Sequence, residues 1–171
     1  MLESRESAQL VNSSAKAHSF EGESKFSAFK LLITNFLACG ADPMKLDKKF
    51  KKTIRVCVKD VLPQFVLTDG YFNLSGYITR EAYEEYNKNP KNKMKISDLR
   101  NFMLNLERWT IDLVQVESKD SFTSYAGLEM RLIIHQFSVF SENAVILPNK
   151  YTTNLFRDDD VMAVINNFIF T

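Results

Sequence analysis

Residues Phe65–Tyr86 read FVLTDGYFNLSGYITREAYEEY, and this stretch decides the fold. Apolar residues lead into Asp69-Gly70, and beyond the pair Phe72, Leu74, Gly76 and Ile78 alternate with Asn73, Ser75 and Tyr77. Period-2 alternation about an Asp-Gly pair predicts a β-hairpin with one buried face, and Asp-Gly suits a type I′ turn. At Thr79 the pattern changes to Thr-Arg-Glu-Ala-Tyr-Glu-Glu-Tyr, which has helical composition and a threonine placed to cap it. Strand, turn, strand and helix start therefore follow one another directly.

Upstream, Ile54, Val56 and Val58 alternate with Arg55, Cys57 and Lys59, so three strands are predicted at about 53–60, 64–69 and 71–78. Downstream, Asn87–Asn92 is a polar breaker, and Ser97-Asp98-Leu99-Arg100 starts a short helix. Phe102–Val116 reads as a long strand whose apolar period drifts near Glu107–Thr110, the mark of a bulge. After a Ser/Asp/Lys-rich loop, Leu128, Met130, Leu132 and Ile134 open a strand that runs to about Phe140. Three strands, a helix and two strands is the order of the five-stranded oligonucleotide/oligosaccharide-binding (OB) barrel, so the fold class is mainly β. Helices flank it on both sides. Phe26, Phe29, Leu32, Ile33 and Phe36 mark one, ended by Cys39-Gly40 and Asp42-Pro43. Val161, Val164, Ile165 and Phe168 mark the other, with Asp158 as its cap. Residues 1–24, rich in Ser, Glu, Ala and Lys, are expected to form a disordered tail ahead of a single domain over 25–171.

Composition narrows the function. Apolar residues make up 45% of the 171 and charged residues 25%, an ordinary globular balance. Net charge is +1, so no global field draws the chain to nucleic acid, and such binding would need a local patch. Cys39, Cys57, His18 and His135 stand alone, with no metal-ligand spacing; no metal or cofactor is expected. The N-terminal residues lack the basic-then-apolar form of a secretory signal, and no stretch approaches the ~20 apolar residues of a membrane span, so a soluble intracellular protein is expected. P-loop, G-x-S-x-G and H-E-x-x-H patterns are all missing, so no catalytic residue is assigned. Asp158-Asp159-Asp160 is better explained by a helix N-terminus than by a metal. Lys45–Arg55, with Lys48, Lys49, Lys51 and Lys52, reads first as a solvated connector, with an import signal or phosphate contact as alternatives. Tyr71 and Tyr77 are the candidate stacking residues if the barrel binds single strands.

Two motifs add a resemblance. Thr68-Asp69-Gly70 followed by Ile78-Thr79-Arg80-Glu81-Ala82 resembles the telomerase-recruiting OB domain of the animal shelterin protein, as do Leu113–Val116 and Phe137–Phe140. Phe156-Arg157-Asp158-Asp159-Asp160-Val161 is similar to the closing segment of the budding-yeast telomerase accessory subunits of the "ever shorter telomeres" OB-fold family. The resemblance implies a non-catalytic telomerase subunit in the nucleus, on chromosomes at telomeres, that binds the telomerase reverse transcriptase and other telomerase subunits. Carried over by position, the telomerase-binding residues are Phe29 (in place of a tryptophan), Asp69, Glu84, Glu85, Lys95, Glu142 and Asp159. The alternative is a protein that binds single-stranded telomeric DNA or telomerase RNA.

Overall fold

The computed structural model describes residues 27–116, 124–125, 127–141 and 152–170. The tail expected over 1–24, and Glu142, lie outside these residues. Helix α1 spans Ala28–Ala38. Strands β1 (Ile54–Asp60), β2 (Val66–Thr68) and β3 (Phe72–Ile78) follow, then helix α2 (Arg80–Lys88). Next come β4 (Met103–Gln115), a two-residue β5 (Ser124–Tyr125), β6 (Leu128–Val139), a two-residue β7 (Thr153–Asn154) and helix α3 (Asp159–Phe170).

The barrel closes through one parallel pairing. β1 pairs antiparallel with β2 and β4, β2 with β3, and β4 with β6; β3 then meets β6 in parallel, Ser75 opposite Arg131 through Ile78 opposite Ile134. This is the connectivity of the OB fold, with β6 as its fifth strand. Inward positions alternate as the sequence predicts: Val56, Val58, Leu67, Leu74, Leu104, Leu106, Leu132 and Ile134 are all buried. Gly76 is an inward position where a Cβ would stand 2.9 Å from the side chains of Leu67 and Phe65, so glycine lets β2 and β3 approach there. The bulge expected in the fourth strand is present, with register shifts on either side of Arg108.

The Asp69-Gly70 turn differs from expectation. Only Gly70 has positive φ (96°), whereas a type I′ turn needs it at both central residues. The buried Asp69 carboxylate shapes the loop instead. One oxygen accepts from the backbone N–H of Tyr71 and of Phe72, each at 2.9 Å. The other accepts from the Ser27 hydroxyl and, at 3.0 Å, from the Phe29 N–H in the first turn of α1. Ser27 Oγ in turn accepts from Lys30 N at 3.1 Å as the helix N-cap. A carboxylate at that helix start also gains from the macrodipole. One side chain thus joins the hairpin to α1.

A second tie joins the two outer helices. Lys30 Nζ reaches Asp158 at 3.1 Å and Asp160 at 2.9 Å, and Asp158 also caps α3 through Val161 N–H at 3.1 Å. Burial works against the charged lysine, but the two carboxylates outweigh it and hold Lys30 above the ordinary lysine value. α1 and α3 complete the core with Phe29, Ile33, Phe36, Val161 and Ile165.

Two outcomes are expected. Asp69→Ala leaves four donors without their acceptor and should cost about 3 kcal/mol or more in urea denaturation; a loss under about 1 kcal/mol would show that the hairpin and α1 hold together without it. Because the folded-state pKa of Lys30 is raised, its contribution is complete below the ordinary lysine value and is lost as pH climbs through the folded one. The stability gap between wild type and Lys30→Met should therefore stay level from about pH 7 to about pH 9.5 and close only above about pH 10.5. A gap that closes near neutrality would contradict the pairing.

Candidate functional site

The sequence-predicted site residues do not share one surface. Phe29 is completely buried in the core and Asp69 is 5% exposed, so in this structure both are architectural. Asp159 is exposed in the first turn of α3, and Lys95 is exposed just ahead of the short 3-10 turn Ile96–Asp98. Glu84 and Glu85 are exposed on α2, where Arg80 pairs with Glu84 at 3.0 Å. An exposed ion pair of this spacing adds only about 0.3–0.5 kcal/mol.

Tyr71 just precedes β3, and Tyr77 lies near its far end. Tyr77 is half exposed, whereas Tyr71 is partly buried against the core, and the outward Asn73 and Ser75 between them are buried. They form no continuous stacking platform. Nor is the outer face of β1–β3 an open groove: Cys57, Thr68 and Asn73 all point outward and all are fully buried. Burial in this apolar setting pushes the Cys57 thiol up to about 12, which leaves it an unreactive structural cysteine. Lys59 Nζ donates to both oxygens of Thr152, and Asn73 Nδ2 donates to the Thr152 carbonyl at 3.0 Å, which pins that segment against β1 and β3. Burial lowers the Lys59 pKa, partly offset by Asp60. Lys45, Lys48, Lys49, Lys51 and Lys52 are exposed, with Lys49 5.0 Å above the Phe50 ring.

What the fold does bring together lies around α2. The helix is anchored through Tyr86, whose ring stacks on Phe137 of β6 at 4.9 Å between centroids and 14° between planes. Its hydroxyl donates to the Met94 carbonyl at 2.9 Å, and burial raises its pKa. Beside this stack runs a cleft of about 230 Å³ with Glu85 on the helix side and Glu107 on the strand side. Glu107 accepts from the Ser138 hydroxyl at 2.7 Å. Asn89, Asn92, Gln136 and Ser138 complete a mostly polar lining, and the two carboxylates on its walls suit the charged head of a partner's lysine or arginine. Glu107 is absent from the residues that sequence motifs single out, although the period drift at 107–110 signals the bulge that turns it into the cleft. Among the described residues no group of His, Cys, Asp and Glu is arranged to hold a metal ion; Asp158 and Asp160 are engaged with Lys30.

Residues 38–171 match the family described as "Telomere-binding protein beta subunit (TEBP beta)". Two relatives bear the name "Telomere-binding protein subunit beta". The one from Stylonychia mytilus is 39% identical over 142 residues, which is 83% of this chain and 36% of that protein. The one from Sterkiella nova is 38% identical over 145 residues, 85% of this chain and 37% of that protein. The chain thus spans little more than a third of the length of these relatives. Among solved structures, the Est3 telomerase subunit of the yeast Hansenula polymorpha superposes with a TM-score of 0.53 at 17% identity, over 68% of this chain and 75% of that one. At that identity the likeness is one of fold, and the resemblance to the yeast accessory subunits holds at that level.

Proposed function

The chain belongs to the telomere-binding protein beta subunit family, and on that premise we propose that it is a non-catalytic OB-fold subunit acting at chromosome ends in the nucleus. It works by binding. The acidic edge of α2 docks a basic surface of a protein partner, and the telomerase reverse transcriptase is the partner this reading names. The observation that carries it is the cleft in which Glu85 and Glu107 flank the Tyr86–Phe137 stack, with Glu84 exposed on the same helix. Charge on such an edge sets orientation and on-rate. Phe29 and Asp69 are buried and act through the fold, whereas Asp159 and Lys95 are exposed.

A second reading, binding of single-stranded nucleic acid, is favoured by the name of the relatives, which calls them telomere-binding. The two readings are compatible, because a subunit of an end-binding complex can use different faces for protein and nucleic acid.

The docking reading is tested with Glu84→Lys/Glu85→Lys in the full chain. Both positions are exposed, so the thermal melt should stay within a few degrees of wild type. Capture of the reverse transcriptase should fall by about tenfold, or ~1.4 kcal/mol. A folded variant that captures the enzyme as well as wild type would remove α2 from the interface.

A further inference from the structure

Among the described residues, one buried side-chain oxygen finds no hydrogen-bond partner: Oδ1 of Asn73, on β3. The other end of the same amide fixes which atom this is. Nδ2 donates to the Thr152 carbonyl at 3.0 Å, and a flipped amide would set two oxygens against each other there. Asn73 is fully buried, so bulk solvent does not satisfy Oδ1. Such acceptors are rare in native chains, because leaving one unbonded forfeits the hydrogen bonds it would make to water.

The same asparagine lines a surface cavity of about 320 Å³. Its other walls are Lys59 and Asp60 of β1, Pro63 and Gln64 of the β1–β2 loop, and Val66 of β2. The outer face of β1–β3 is covered along most of its length, and this cavity lies at its loop end. Pro63, Val66 and the stem of Lys59 make the wall mostly apolar. Lys59 supplies the one cation in the wall, and its ammonium already donates to both oxygens of Thr152. Asp60 accepts from the Val61 N–H at 3.1 Å and sets a carboxylate beside the apolar wall. On the same loop Leu62 is 76% exposed.

These features specify an occupant. It brings a donor to Asn73 Oδ1, apolar area to Pro63 and Val66, and no anion next to Asp60. A cavity of this size stands at the low end of the range for ligand sites, with room for one large side chain rather than an extended segment. Tryptophan matches, because its indole is a broad apolar body whose one polar atom is an N–H that only donates. We propose that the cavity at the β1–β2 loop is a docking pocket for a protein partner that inserts a tryptophan side chain, its indole N–H donated to Asn73 Oδ1. Exposed Leu62 widens the apolar contact with that partner. One aromatic anchor in a fitted pocket is the usual form of an interface hot spot. A nucleobase is also flat and carries N–H donors, but its phosphate would meet Asp60 and find the lysine of the wall bonded to Thr152. No residue is shared with the cleft at α2, so this surface stands or falls separately from the docking reading above.

The test titrates the isotope-labelled full chain with N-acetyltryptophanamide and follows its amide resonances. Saturable shifts are expected at Gln64, Val66 and Asn73, including the Asn73 side-chain amide, with a Kd of about 1–10 mM, ordinary for a fragment of one side chain. The benzothiophene analogue keeps the ring shape and replaces the N–H by sulfur; it should bind about fivefold or more weakly, the weight of one net hydrogen bond. Asn73→Leu should abolish that preference, with a thermal melt to check its fold. If that variant does not fold, the comparison of the two probes on wild type decides alone. Equal affinity of wild type for both probes would overturn the proposal, as would a folded Asn73→Leu that keeps the preference. So would shifts confined to other residues, or none at about 20 mM probe. Tighter binding of adenosine at the same residues would assign the pocket to a nucleobase and also overturn it.

Discussion

The Asp69 carboxylate is the constraint on which the rest of the structure depends. Its two oxygens face in two directions, one into the β2–β3 loop and one onto the start of α1. A buried charge is tolerated only when its acceptor sites are filled, and here four donors fill them. The hairpin and α1 are therefore set against each other in a single arrangement. α1 then carries Lys30 to Asp158 and Asp160, so the position of α3 follows from that of α1. A turn of the barrel, the first helix and the last helix are linked in series through two buried side chains.

Closure of the barrel leaves function to its ends and flanks. Once β3 and β6 pair, apolar side chains fill the interior. The outer face of β1–β3, where an open groove would serve a ligand, holds side chains that are themselves buried. Among the surfaces that remain are those around α2, where the helix is anchored through the Tyr86–Phe137 stack. Because Tyr86 also bonds the loop that follows, helix and loop form one rigid unit with acid on one side and lysine on the other. Such an arrangement sets acidic and basic side chains within a few residues of chain.

Much of this was legible in the residues. The alternation from Phe72 to Ile78, the Thr79 cap, the period drift at 107–110 and the Asp158 cap each rest on local backbone geometry, and local geometry is what spacing encodes. The role of Asp69 was only half legible. Asp-Gly announces a turn, but the φ values exclude type I′, and no spacing rule links residue 69 to Ser27 forty-two positions earlier. Phe29 was readable as an apolar helix position, yet its complete burial depends on what packs over α1. Glu107 was invisible as a cleft residue because it reads as any solvated carboxylate until α2 and β6 come together.

The sequence by itself determined the order of elements, the parity of each strand and the OB class, because hydrophobic period and caps act within a few residues. Its similarity over 38–171 determined the family. Tertiary structure alone decided which charges are spent on the fold and which remain for partners. Asp69, Lys30 and Asp158 are consumed by contacts between distant segments, whereas Glu85, Glu107, Lys91 and Lys93 are left facing outward beside aromatic rings. Whether a charge is bound or available is set by what lies across from it in space, and that neighbour is supplied by the closed barrel rather than by the residues next in the chain.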